Sequence, residues 1–357
     1  MHHKRFTSLL TSSLLSLGLS INAHAAPSVA VDIAPLHSLV SQVMENVGQP
    51  ALLIPAEASP HHYTMRPSEA KALADADTIF WMGESFTPWL NKAMNSVASS
   101  AQKIAVLDID GTITHPYREG ATFESHEHHE GHGDEEHEEH ESEQHGKKEH
   151  HKKGEHHEEK EHHAKDELHD KKEHHEKEGH HDEHHEEGND PHAWLDPENA
   201  KLWVNHIKDT LSKQDPENAT SYANNAAKAI VSLDALIEST RTKINALGNP
   251  QFIVFHDAYQ YFELRFGIAA AGAISFGDAQ APSPARLKEV RDTVKKLGVT
   301  CVFTEPQYNP GLVKNVFENT SVSTIGVMDP LGVGLTTGSG HYQQLIQNMA
   351  NSISQCK

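Results

Sequence analysis

The chain reads as two similar α/β lobes, each built on a mainly parallel four-stranded sheet, joined by one long helix. Three observations predict this. Short apolar runs alternate with helical patterns in both halves of the sequence, the rhythm of a parallel α/β sheet. Four such runs precede, and four follow, a stretch that reads as a single helix of about 30 residues. Once a leader and a low-complexity tract are set aside, about 265 residues remain, enough for one large or two modest domains.

The elements follow in order. Val29–Ile33, Ala51–Pro55, Thr78–Gly83 and Lys103–Ile109 read as buried strands. Between them, helices are expected at Leu36–Val47, Pro67–Ala74 and Pro88–Val97, with Pro67 and Pro88 where a first turn tolerates proline. Asp196-Pro197-Glu198 then combines a capping carboxylate, a first-turn proline and an acidic residue at the positive helix end. The helix it opens runs to about Lys213. Asp215-Pro216-Glu217 repeats the signal and opens the long helix, which Gly248-Asn249-Pro250 ends near Leu247. At 1.5 Å per residue it would span roughly 45 Å, the length of a rigid connector between two lobes. Strands are then expected at Gln251–His256, Ala269–Ser275, Thr300–Thr304 and Val322–Met328, with helices near Ala258–Phe266, Pro284–Leu297, Gly311–Asn319 and Tyr342–Ser354. The domain reading is a leader at 1–25, an N-terminal lobe at 26–214, the connecting helix at 215–248 and a C-terminal lobe at 249–357.

Residues 1–25 have the composition of a secretory signal peptide. Lys4 and Arg5 give a positive start, Phe6–Ile21 is apolar but diluted by serines, and Ala23-His24-Ala25 offers a small-x-small cleavage pattern. The apolar run is too short and Ser-rich to span a bilayer. An exported protein beginning near Ala26 is expected; the alternative is an uncleaved anchor.

Residues 124–190 interrupt the N-terminal lobe with a tract that holds 20 of the chain's 31 histidines and, among large apolar residues, only Leu168. No core can form from it, so a disordered loop is expected. Its imidazoles and carboxylates are donors for a borderline ion such as zinc. With 26 acidic and 9 basic residues it accounts for −17 of the net charge of −21. The rest of the chain is nearly neutral, which argues against a nucleic-acid partner, since that would need a basic face. Two cysteines, Cys301 and Cys356, in an exported chain suggest one disulfide, with two free thiols as the alternative.

Three histidines outside the tract stand in distinctive settings. His61 follows the second strand, in Ser59-Pro60-His61-His62-Tyr63. His192 precedes a helix, in Pro191-His192-Ala193-Trp194-Leu195-Asp196-Pro197. His256 ends the fifth strand, in Phe255-His256-Asp257-Ala258-Tyr259, and Asp329 ends the eighth, in Met328-Asp329-Pro330-Leu331-Gly332. Ligands of open α/β sheets bind beyond the carboxyl ends of strands, where His61, His256 and Asp329 all fall. His62 is expected to point away from His61 on an extended segment. His37, His115, His206 and His341 have no supporting context and read as packing or surface residues. Trp194, Tyr63 and Tyr259 flank the candidates and could exclude water from a cleft.

These four segments, with Arg66-Pro67-Ser68 after the first, resemble in order and spacing the motifs of the periplasmic metal-binding proteins that feed metal ABC importers. Within that family the chain is most similar to the zinc-uptake members, which also carry a His/Asp/Glu-rich insert before the second motif and a C-terminal cysteine pair. The resemblance implies a periplasmic monomer holding Zn2+ as cargo in a cleft between its lobes and delivering it to an inner-membrane ABC permease with a cytoplasmic ATPase. It implies His61, His192 and His256 as ligands, with Asp329 or water in the fourth place. Histidine rather than glutamate at 256 favours zinc over manganese. Some zinc-binding relatives carry a glutamate directly before the first histidine, where this chain has Pro60. The tract would then be a low-affinity collector or sensor. Since imidazole must be neutral to ligate, affinity is expected to fall as pH drops through roughly 6.5.

A zinc hydrolase is the competing class, with three histidines holding a reactive water and Asp329 or Glu305 as base. The chain shows no HExxH helix, GxSxG elbow or phosphate loop to support it. A receptor for nickel, copper or manganese is the third alternative.

Overall fold

A computed structural model describes residues 26–118, 120, 122–123, 188–275, 282–307 and 310–356. The leader at 1–25 and nearly all of the acidic tract lie outside the described residues.

The first sheet is built from β1 (Val29–Val31), β2 (Ala51–Leu52), β3 (Thr78–Trp81) and β4 (Gln102–Ala105), in the order β2-β1-β3-β4 with every pair parallel. The helices α1 (Ala34–Val43), α2 (Pro67–Ala74) and α3 (Pro88–Val97) make the crossovers. α4 (Pro197–Gln214) starts where Asp196 accepts the Glu198 N–H at 2.9 Å. α5 (Ala219–Asn245) is the long helix, 27 residues preceded by a 3₁₀ turn at Pro216–Asn218, so about 40 Å long. The turn takes up the start of the expected helix, so the α-helix proper begins at Ala219.

The second sheet repeats the first. β5 (Phe252–His256), β6 (Gly272–Ser275), β7 (Cys301–Thr304) and β8 (Thr324–Val327) stand in the order β6-β5-β7-β8, again all parallel. α6 (Gln260–Phe266), α7 (Pro284–Leu297) and α8 (Pro310–Phe317) connect them, and α9 (His341–Ile353) follows β8. Gly298, at φ 63°, closes α7 in the left-handed conformation that glycine adopts without a Cβ clash.

Burial follows the strand period. On β5, Phe252 and Val254 belong to the large core shared with the first sheet and α9, while Ile253 and Phe255 belong to a smaller core under α7 and α8. Alternate residues therefore fill both faces, as a parallel sheet covered by helices on both sides requires. The C-terminal helix crosses back: α9 packs on α1 and α5, and the Tyr342 N–H donates to Ser38 Oγ at 3.1 Å. No described helix is long and apolar enough to cross a membrane.

At the end of β1, fully buried Asp32 accepts the N–H groups of Ile33 at 2.8 Å and Met82 at 2.7 Å, pinning β1 to β3. Burial pushes its carboxyl up to about 7, against the pull of those N–H groups.

The two flanks of the acidic tract are zipped together. Pro116 pairs antiparallel with Asn189, and the Asp190 N–H donates to the His115 carbonyl at 2.8 Å. Thr122 pairs with Gly272, adding a short antiparallel segment to the free edge of β6. Between these pairings Arg118 lies 3.8 Å over the Phe123 ring. It donates to both Asp257 and Glu263, the latter at 2.7 Å. Burial alone would lower the guanidinium pKa; the two carboxylates outweigh it and hold the group above its ordinary range. Replacing Arg118 with Ala is expected to cost about 3–5 kcal/mol, because buried Glu263 and part-buried Asp257 lose their counter-charge. Burial already pushes the Asp257 carboxyl up and Arg118 holds it down; without the guanidinium it would take up a proton more readily folded than unfolded, so the loss should shrink as pH falls through the carboxylate range. Urea midpoints at two pH values check this; equal losses at both would contradict it.

Candidate metal centre

Both sheets reverse strand order at the corresponding place, between β1 and β3 and between β5 and β7, and a ligand of such a sheet is expected beyond the carboxyl ends of the strands at that point. His256, the last residue of β5, and Glu305, the first after β7, flank the reversal in the second sheet. His61 sits in a 3₁₀ turn, Pro60–His62, beyond β2. This corrects the extended segment expected there: successive side chains diverge by the 3₁₀ period of about three residues per turn rather than by strand alternation. His61 is half-buried on the pocket wall and His62 is exposed. The turn is held where the Trp89 indole N–H donates to the Pro60 carbonyl at 2.8 Å. His192 precedes a 3₁₀ turn at Ala193–Leu195 that leads into α4, and Arg265 grips the Asp196 carboxylate at 2.6 and 2.7 Å.

One pocket gathers His61, His192, His256 and Glu305, with Phe86, Trp194, Gln307 and Leu331 as further walls. His192 is 6% exposed and His256 3%. Their Nε2 atoms face each other at 3.4 Å. Two imidazole nitrogens about 2.0–2.1 Å from a tetrahedral zinc would stand about 3.3–3.4 Å apart, so this pair already has the spacing of adjacent ligands. The third ring is further out: the His61 and His192 centroids are 6.2 Å apart, and His61 stands edge-on to Phe86 at 4.8 Å. Among the described residues no three donors yet surround one point.

Behind each paired ring stands a carboxylate. His192 Nδ1 is 2.6 Å from Asp190 Oδ1, and His256 Nδ1 is 2.5 Å from Glu305 Oε1. Reading the sequence missed both as partners of histidine. Glu305 was legible by the strand-end rule that singled out His256 and Asp329. Asp190 was legible only as a carboxylate two residues before a histidine, where a side chain can cap the turn.

Asp329 is placed differently. Its Oδ1 accepts the Leu331 N–H at 2.9 Å and a long 3.4 Å contact from the Gln307 amide, and Oδ2 accepts the Val333 N–H. The carboxylate thus caps the turn that carries Pro330 and Leu331 to the pocket, and Asp329 itself is not on the wall. Gly332 makes the turn possible: it has φ 79°, and a Cβ there would stand 2.6 Å from His341 Nε2. The Trp194 indole N–H donates to the Pro330 carbonyl at 2.8 Å, tying the wall behind His192 to that turn. Tyr259 is buried and donates to the Met328 carbonyl, and the Tyr63 hydroxyl turns to Glu69. His37 and His341 are buried with ring nitrogens on the Pro50 and Leu331 carbonyls, His115 packs at a tilt against the Tyr261 ring and His206 is exposed. The two cysteines form a disulfide, Cys301–Cys356.

Comparison with known proteins gives one direction. The family model described as "Zinc-uptake complex component A periplasmic" matches residues 29–356. The chain is 42% identical over 356 residues, 99% of each chain, to the high-affinity zinc uptake system protein ZnuA of Brucella abortus (strain 2308). It is 41% identical over 348 residues to the protein of the same name from Paracoccus denitrificans (strain Pd 1222), covering 98% of this chain and 97% of that one. The fold is similar to a crystal structure of ZnuA, at a TM-score of 0.65 and 19% identity over 93% of this chain and 99% of that one. It is also similar to a zinc-bound ZnuA lacking its residues 138–173, at a TM-score of 0.63 and 21% identity over 92% and 98% of the two chains.

Proposed function

The chain belongs to the family of periplasmic zinc-uptake components, and from that premise we propose that it is a receptor which captures Zn2+ in the cleft on His61, His192 and His256. It performs no chemistry on its cargo and hands it, as a monomer, to an inner-membrane ABC permease driven by a cytoplasmic ATPase. Residues 1–25 serve as its cleaved signal peptide. The observation that carries the ligand assignment is the Nε2 pair of His192 and His256, set 3.4 Å apart with His61 on the same pocket wall. Imidazole donors suit zinc better than manganese, which prefers carboxylates. Asp329 is engaged with main-chain N–H groups, and this supports water over Asp329 in the fourth place.

The tract serves as an auxiliary, low-affinity collector or sensor beside the tight site. Its donors are numerous, but nothing in its composition fixes them in one geometry. Deleting residues 126–187 is expected to leave the tightest zinc site unchanged and to lower the number of zinc ions bound per chain, both read by calorimetry. Loss of the tight site on deletion would overturn that division of labour. Protein isolated from its native periplasm should carry zinc; nickel, copper or manganese in its place would overturn the cargo.

A further inference from the structure

We propose that Asp190 and Glu305 are positioning residues for the bound ion, fixing the rings of His192 and His256 and supplying the negative charge that a buried dication needs. The proposal rests on the reading of those histidines as zinc ligands and adds two residues to it.

The same device occurs twice, on unrelated segments. Asp190 Oδ1 takes both the main-chain N–H of His192, at 2.9 Å, and its ring Nδ1, at 2.6 Å. Glu305 Oε1 takes the main-chain N–H of His256, at 3.4 Å, and its ring Nδ1, at 2.5 Å. One carboxylate comes from the chain entering α4 and the other from the end of β7, so local sequence alone does not account for the repetition. All four side chains are nearly shut off from solvent, at 8% and 2% exposure in one pair and 3% and 2% in the other. The carboxylates are themselves anchored. The Asp190 carbonyl accepts the Tyr261 hydroxyl at 2.6 Å, and Glu305 directly follows a strand paired on both sides.

Two consequences follow from the chemistry of imidazole. A carboxylate can only accept, so a neutral ring bonded to it through Nδ1 carries its one proton there and keeps the Nε2 lone pair for metal. With both rings held so, two acceptors point at each other across 3.4 Å, an arrangement that a cation placed between them relieves. Neutral imidazoles also bring no charge to the ion. A dication in a pocket this closed is unfavourable without compensation, and two carboxylates one ring away supply two negative charges.

The test uses the full chain with Asp190→Asn, Glu305→Gln and the double substitution, which keep shape and remove charge. Zinc affinity is read by competition with a chelating dye. Each single variant is expected to bind roughly 10–100-fold more weakly, in the range found for outer partners of metal-bound histidine, and the double variant more weakly still. In the parent protein, nitrogen NMR of the rings should show the proton on Nδ1 of both histidines. A proton on Nε2 would overturn the proposal whether or not the variants fold. Affinity within threefold of the parent in both single variants would overturn it as well. His192→Ala is the control: if it too keeps tight zinc, the ligand assignment itself fails, and not merely the role of the carboxylates.

Discussion

Replacing His256 with alanine is expected to abolish the tight zinc site while leaving a folded protein. His256 is the last residue of β5, 3% exposed, between Glu305 behind it and His192 across the pocket. Its loss removes a direct ligand, so the effect should exceed the roughly 10–100-fold that loss of an outer partner costs. That places it above about 3 kcal/mol, at 1.4 kcal/mol per tenfold. The same change leaves the Glu305 carboxylate without its ring donor, at a stability cost of about 1–3 kcal/mol. A fold with cores on both faces of the second sheet should tolerate that cost. Calorimetry on a chain lacking residues 126–187 gives the cleanest reading, because weak binding by the tract then cannot stand in for the lost site. Affinity within tenfold of the parent would remove His256 from the ligand set, and with it the main argument for the cleft.

The sheets were legible because the apolar runs are short, bounded and repeated. All eight expected strands form, each shorter than its apolar run, since apolar character continues into residues such as Ile33, which is buried while its N–H turns to the Asp32 side chain. The start of α4 was legible from its Asp196 cap, whose signal is local. The identical strand order of the two sheets was not, because it depends on which strand each crossover skips, and no residue encodes that alone. The same distinction runs through the metal centre. His61, His192 and His256 could be picked out by their settings, and the fold brings all three to one pocket. Glu305 meets His256 from 49 residues away, a pairing that exists only once β7 lies beside β5. Arg118 is a similar case: nothing in its sequence setting at the edge of the charged tract marks a partner, and it is part-buried against two carboxylates from the second lobe.

Removing the Cys301–Cys356 disulfide is expected to lower stability by about 4 kcal/mol without weakening zinc binding. The bond closes a loop of 55 residues, and loop-closure entropy for that length is about 4 kcal/mol at 25 °C. It ties the start of β7 to the chain just past α9. Along α9, Tyr342, Leu345, Ile346, Met349 and Ile353 are buried against the main core, so the helix keeps its packing when the bond is cut. The effect should therefore appear as a lower midpoint for the whole transition, by roughly 7–10 °C for a chain of this size, rather than as release of the C-terminal helix. Neither cysteine lines the pocket, and affinity in a Cys301→Ala/Cys356→Ala chain should stay within twofold of the parent. Thermal scans of oxidised and reduced protein, each with and without zinc, separate the two statements. An unchanged midpoint on reduction would show that the loop is already restrained in the unfolded chain. A large fall in affinity would mean that the position of β7, and so of Glu305 at its end, depends on the bond.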